Sequence, residues 1–234
     1  MILREVTILT IHESARIGAE VEQKLQQFDR HTAHIGDLYR QCLSGIDTAQ
    51  TAKVIVDVSS EAGWCTPANV KRLLNVTQSP WEVCFDTYWN AEIQERKAIA
   101  LSWLHDGLLW LADIEGWPRE PFQIAHAACL ERGLVNEFFW RKGKSFPNPS
   151  KTASVKLFCE FDVIEARYYA VVFVKRKEAG RVLLGTTIPE SYINCITLQS
   201  FEWVDDQTAS IRFGDRYRDP PTLCDLSSLI PAAQ

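Results

Sequence analysis

The stretch 90–115 constrains the fold most. Leu101, Leu104, Leu108 and Leu111 recur at helical spacing as one apolar stripe, and Trp103, Trp110 and Ile114 make a second beside it. Only Glu95, Ser102, Asp106 and Asp113 form a narrow polar edge, so a helix here must be covered on most sides and stand at the centre of a core. Gly116 and Pro118 end it. Pro121 then starts a second helix carrying Phe122, His126, Cys129 and Leu130 as far as Gly133. The two make an αα-hairpin.

What precedes the hairpin reads as alternating elements. Residues 2–11 are β-rich, and Ser14 can cap a helix with Ile17, Val21, Leu25 and Phe28 on one face, followed by a second stripe from Ile35 through Leu38, Tyr39, Cys42 and Leu43 to Ile46. Residues 53–58 and 81–88 carry the period of strands, and Pro67 can open a helix through Val70, Leu73 and Leu74 between them. Strand, helix, strand, helix, strand favours an α/β layer with parallel pairing. After the hairpin, residues 141–151 hold two prolines and several cations and read as a loop or internal linker. Beyond it Val155, Leu157, Cys159 and Phe161 alternate with polar residues, residues 168–175 and 181–187 are strands joined at 177–180, and residues 201–204 pair with 209–213 across Asp205-Asp206-Gln207.

The expected class is therefore α+β: a mixed N-terminal α/β layer, a central buried helix with its αα-hairpin, and a C-terminal antiparallel β-meander on which that helix packs. One domain should span 1–218, with a subdivision allowed near 141–151. The tail 219–234, with Pro220, Pro221 and Pro231, reads as poorly ordered.

Composition limits function. A net charge of -5 over 234 residues argues against a nucleic-acid partner, which calls for a basic surface. The seven cysteines (42, 65, 84, 129, 159, 195, 224) are scattered without a C-x-x-C pair and read as small buried hydrophobes of a reducing compartment. Arg4 and Glu5 interrupt any leader-like apolar run, and no uncharged run approaches membrane-spanning length, so a cytoplasmic protein without a membrane partner is expected.

Two constellations could carry function. If the first three strands are parallel, their C-terminal ends bring His12 and Glu13, then Asp57, Ser59, Ser60 and Glu61, then Asp86 and Tyr88 to one rim, where a His beside carboxylates and a serine could run a small-molecule hydrolase. The plainer reading is a strand-to-loop transition with local capping, since no G-x-S-x-G elbow or phosphate loop is present. His12, His31 and His34 have no partner set of metal-ligand spacing, so neither metal nor cofactor is expected. Among the eight tryptophans, Trp64 and Trp89 fall in loops, and Trp203 stands in the acidic run Glu202-Trp-Val-Asp205-Asp206. An aromatic anchor ringed by carboxylates suits a cationic protein partner, which makes Trp203, Asp205, Asp206, Glu202, Trp64 and Trp89 the candidate binding residues.

The run Ala98-Ile-Ala-Leu-Ser-Trp-Leu-His-Asp-Gly-Leu-Leu, then Glu115-Gly-Trp-Pro118, Asn136-Glu-Phe-Phe-Trp140 and Ser150-Lys-Thr-Ala153 resembles bacterial immunity proteins of polymorphic toxin systems over about a third of the chain. That resemblance implies a non-catalytic, acidic, cytoplasmic protein that binds a cognate toxin domain and occludes its active site. It transfers no binding residue. A non-catalytic adaptor subunit is the further alternative.

Overall fold

The computed structural model describes residues 1–14, 19–189, 198–213 and 221–231; Ile17, Cys195, Pro220 and the capping side chain of Ser14 lie outside the described residues. The class is α+β, with helices and sheets in separate layers. Contacts divide the chain into two compact units, Met1–Asn136 and Glu137–Gln234, where sequence suggests one domain dividing near 141–151. Each unit closes a hydrophobic cluster of its own.

In the first unit, β1 (Glu5–Leu9), β2 (Lys53–Ser59) and β4 (Val76–Glu82) run parallel, and the short β3 (Lys71–Leu73) adds antiparallel to β4, in the order β1-β2-β4-β3. Register sets Val6 opposite Val54 and Ile8 opposite Val56, so β-branched side chains line one face. After the short α1 (Ile11–Ser14), the crossover to β2 is α2 (Ala19–Cys42), one helix of 24 residues that joins the two stripes read from the sequence and stops short of Leu43 and Ile46; Leu25, Phe28, Ile35, Leu38 and Tyr39 are buried, whereas Val21 is exposed.

Helix α4 (Ile93–Glu115) is as central as its sequence demands: Leu101, Leu104, Leu108 and Leu111 are each 0% exposed. A capping box between Glu92 and Glu95 starts it, and Gly116 ends it at φ 69°, a left-handed position that glycine takes without strain. The stripe packs on β1, β2, β4 and α2 within the first unit. Gly107 allows this. A Cβ there would meet Val56 Cγ1 at 2.6 Å, and Ser79 Oγ donates to the Gly107 carbonyl at 3.2 Å. Helix α5 (Glu120–Glu131) completes the αα-hairpin with Pro121 in its first turn.

Two elements between β2 and α4 differ from their sequence reading. Pro67 opens only a single 3-10 turn, Pro67–Asn69, after which the chain turns into β3; Leu73 and Leu74 are 73% and 94% exposed, so the apolar spacing there buries nothing. The strand placed at 81–88 ends at Glu82. Phe85–Trp89 is instead a one-turn helix, α3, which buries Tyr88 in the core and leaves Trp89 at its margin.

The second unit holds two antiparallel layers. One has the order β5 (Asn136–Phe139), β7 (Ala153–Phe161), β8 (Ala166–Val174), β9 (Lys177–Thr187), with β6 (Ser145–Pro147) also on β7; the other is β10 (Leu198–Trp203), β11 (Thr208–Phe213), β12 (Thr222–Asp225). Alternation along β7 buries Val155, Leu157, Cys159 and Phe161, and the first two join Ala170, Val172, Phe201, Ala209 and Ile211 in one cluster. The β8–β9 connection is the two residues Lys175-Arg176 at φ 51° and 67°, two residues earlier than the turn read at 177–180. The segment read as a poorly ordered tail supplies β12, and its Leu226 and Ile230 are 0% and 1% exposed in the same core.

Candidate functional site

The three parallel strands end together, as the rim reading requires. Leu9 lies opposite Asp57, and Asp57 opposite Pro80, so the residues following these positions share the sheet edge where ligands of open parallel sheets collect. Asp57 is fully buried: Oδ1 accepts the His12 backbone N–H at 3.1 Å and Oδ2 accepts from Gln78 Nε2. The carboxylate thus closes the first turn of α1 and ties β4 to β2. Burial raises its pKa, while the His12 N–H, the Gln78 amide and the His12 charge oppose the rise.

His12 reaches across the rim. Its Nε2 stands 2.6 Å from Glu61 Oε2, and its ring stacks on Trp64 at 3.8 Å between centroids and 17° between planes. Trp64 is buried here, with Nε1 donating to the Asp57 carbonyl at 2.9 Å and the Lys71 ammonium 5.8 Å from its ring. Ser59 is also fully buried and accepts the Glu61 N–H at 3.0 Å. Glu82 Oε2 accepts the Gly63 N–H at 2.9 Å, fixing the loop that carries Trp64. Asp57, His12, Glu61 and Trp64 therefore meet, with Ser59 beneath them. Tyr88, also placed on this rim, belongs to the core instead.

Asp29, on α2, is a rim member that sequence reading missed. Its Oδ1 accepts both the backbone N–H and the hydroxyl of Thr10, at 3.0 and 3.1 Å, and burial pushes its carboxyl up to about 7, with the Asp57 charge adding to the rise. A signal was present: an acid directly after Phe28, itself in the buried stripe, is out of place unless something caps it. Gln78, inside β4, gives no such signal.

The acidic hairpin of the second unit forms as expected between β10 and β11, but its carboxylates have structural partners. Asp205 Oδ1 accepts the N–H groups of Gln207 and Thr208 at 2.8 and 2.7 Å, and Asp206 Oδ1 accepts the Ser150 N–H at 2.7 Å. Those backbone hydrogen bonds, the Gln207 N–H first, hold Asp205 below the usual carboxylate range. Trp203 is half-buried, edge-on to Phe201, and donates to the Phe146 carbonyl at 3.1 Å; Glu202 is exposed. Trp89 packs on Tyr88 and under the Arg96 guanidinium in the first unit. The six candidate binding residues are thus divided between the two units.

Among the described residues, no group of three His, Cys, Asp or Glu side chains could hold a metal ion, and no helix is long and apolar enough to cross a membrane. Compared with protein-family models, with curated proteins and with solved structures, the chain matches none.

Proposed function

We propose that this chain is a cytoplasmic immunity protein that binds a basic toxin domain and neutralises it by occlusion. The observation that carries this reading is where the acid lies. Met1–Asn136 contains 18 Asp and Glu against 12 Lys and Arg, while Glu137–Gln234 is nearly balanced at 12 against 13. Part of the surplus stands exposed near the ends of the parallel strands, as Glu61 beside His12, Glu82 at the end of β4 and Asp86 in α3. An acidic rim beside a His12 ring held rigid on the buried Trp64 suits a cationic partner, for which charge gives rate and orientation. The buried groups beneath favour binding over turnover, because Asp57 and Asp29 are engaged in holding α1 and Thr10.

Expression with the protein encoded beside this chain tests the reading. Growth arrest caused by that neighbour should be relieved by the wild type, with a stoichiometric complex on size exclusion. Glu82→Gln/Asp86→Lys should lose relief while melting like the parent, since glutamine keeps an acceptor for the Gly63 N–H. No toxic neighbour, or full relief by the double variant, would remove the toxin or this face respectively.

One observation favours a second reading, a small-molecule hydrolase: a carboxyl at about 7, raised in part by the Asp57 charge, at a parallel-sheet edge is also how an acid/base pair is poised. Ester or phosphoester hydrolysis abolished by Asp57→Asn would establish it.

A further inference from the structure

The second unit contains a cleft that nothing above uses. It has a volume of about 730 Å³ and lies between the β6–β7 and β8–β9 ends, lined by Lys151, Lys175 and Arg176, by the ring of Phe173, and by hydroxyls including Ser154. No acidic residue lines it. The acids beside it have partners of their own: Asp206 accepts the Ser150 N–H, and Glu178, opposite Phe173 in the register, lies 3.8 Å from Arg181. A fourth cation stands by, with Lys156 Nζ 5.1 Å from the Phe173 ring.

The backbone is costly where these cations sit. Lys151, Lys175 and Arg176 have φ of 60°, 51° and 67°, a left-handed region in which Gly or Asn is cheaper. At the two-residue β8–β9 turn the favoured sequence is Asn-Gly. Long cations thus stand at three positions around one cleft where the backbone itself favours Gly or Asn.

From Phe173 the aromatic surface continues along the same sheet. Register sets Phe158 opposite Tyr169, Phe139 packs edge-on to Phe158 at 5.1 Å, and Arg181 lies 5.2 Å from the Phe158 ring, its charge shared with Glu160 and Glu178, each 3.8 Å away. Aromatic rings that continue along a sheet from a basic cleft whose lining holds no acid match a single nucleic-acid strand: phosphates in the cleft, bases on the rings. We infer that this face of the second unit binds single-stranded nucleic acid, with Lys151, Lys175 and Arg176 on the backbone and Phe173 stacking the first base. The whole-chain charge hides this, because the acid surplus resides in the first unit. The inference is independent of the toxin reading.

Fluorescence anisotropy with a labelled single strand of mixed sequence, about a dozen nucleotides long, provides the test. Three phosphate contacts predict that affinity falls about twentyfold between roughly 50 and 200 mM salt. Lys175→Asn/Arg176→Gly should melt no lower than the parent, since both residues suit the turn, yet bind more weakly and lose only about threefold over that salt range. Phe173→Leu should weaken binding about fivefold or more with the salt response kept. Absence of binding at low salt, undiminished binding by the turn variant, or equal affinity for a duplex, for polyglutamate or for inorganic phosphate would each overturn the inference.

Discussion

Gly107→Ala sets two opposite effects against each other at one atom. In a helix interior, replacing glycine by alanine stabilises by about 1 kcal/mol. Here the new methyl would lie 2.6 Å from Val56 Cγ1 and 3.2 Å from Cγ2, where carbon pairs prefer about 3.5–4.0 Å. Val56 cannot swing away: it is 0% exposed, β-branched, and held in a strand paired on both sides. Separation of α4 from the sheet by about 1 Å would break the Ser79–Gly107 hydrogen bond and loosen the leucine stripe. Overpacking of this kind costs about 1–3 kcal/mol, and a contact this short belongs at the upper end, so the net loss should be about 2 kcal/mol. That corresponds to roughly 8 °C in Tm for a unit of this size. Urea unfolding followed by tryptophan fluorescence reports it cleanly, because six of the eight tryptophans lie in Met1–Asn136. Val56→Ala should rescue part of the loss, leaving the double variant at least about 1 kcal/mol more stable than additivity allows. A higher Tm for Gly107→Ala, or strictly additive effects, would refute the close approach of α4 to β2.

Leu104→Asp should abolish soluble folding, since an unpaired carboxylate would replace a fully buried side chain at the centre of the first core; a soluble variant melting like the parent would show α4 to be peripheral. For Asp29, the folded carboxyl at about 7 lies above its ordinary 3.8, so the unfolded chain ionises first and stability falls as pH rises from about 4 to 7, by at most about 4 kcal/mol. Asp29→Asn, which keeps an acceptor for Thr10, should flatten urea midpoints over that window, and an unchanged slope would contradict the burial. Asp205→Ala should lower Tm more than Asp205→Asn, because only asparagine retains an acceptor for the Gln207 and Thr208 N–H groups; equal melting would mean that the hairpin tip does not need them.

What could be read from the sequence had a period with a partner. The leucines of α4 and the alternation along β7 bury the residues they promise, because those spacings match a helix face and a strand face across a full core. The errors fall where local pattern and packing disagree. Leu73 and Leu74 follow Val70 at helical spacing, yet β3 pairs with β4 and leaves both side chains outside. Trp81, Val83 and Phe85 alternate like a strand, but pairing stops at Glu82 and the chain turns into α3. At the rim, strand order made His12, Asp57 and Ser59 legible together. Trp64 looked like a loop tryptophan free to bind, and only its buried hydrogen bond to the Asp57 carbonyl reveals it as part of the rim. Asp205 and Asp206 looked available because sequence shows charge, whereas the backbone N–H groups that occupy them belong to turns no spacing discloses.

The parallel pairing of β1 with β2 joins positions 48 residues apart, Glu5 with Lys53, whereas β7 meets β8 through a local reversal. The closing side chains of the first core, Phe122 and Cys129, come from α5, near the end of that unit. During synthesis β1 and β2 must therefore leave the ribosome long before the helices that cover them are complete, so an uncovered β-rich edge is carried through much of translation. The meander can form almost as it is made. Refolding from urea should accordingly split into a fast phase from residues 137–234 and a slow, aggregation-sensitive phase from residues 1–136, and chaperone dependence should follow the slow one.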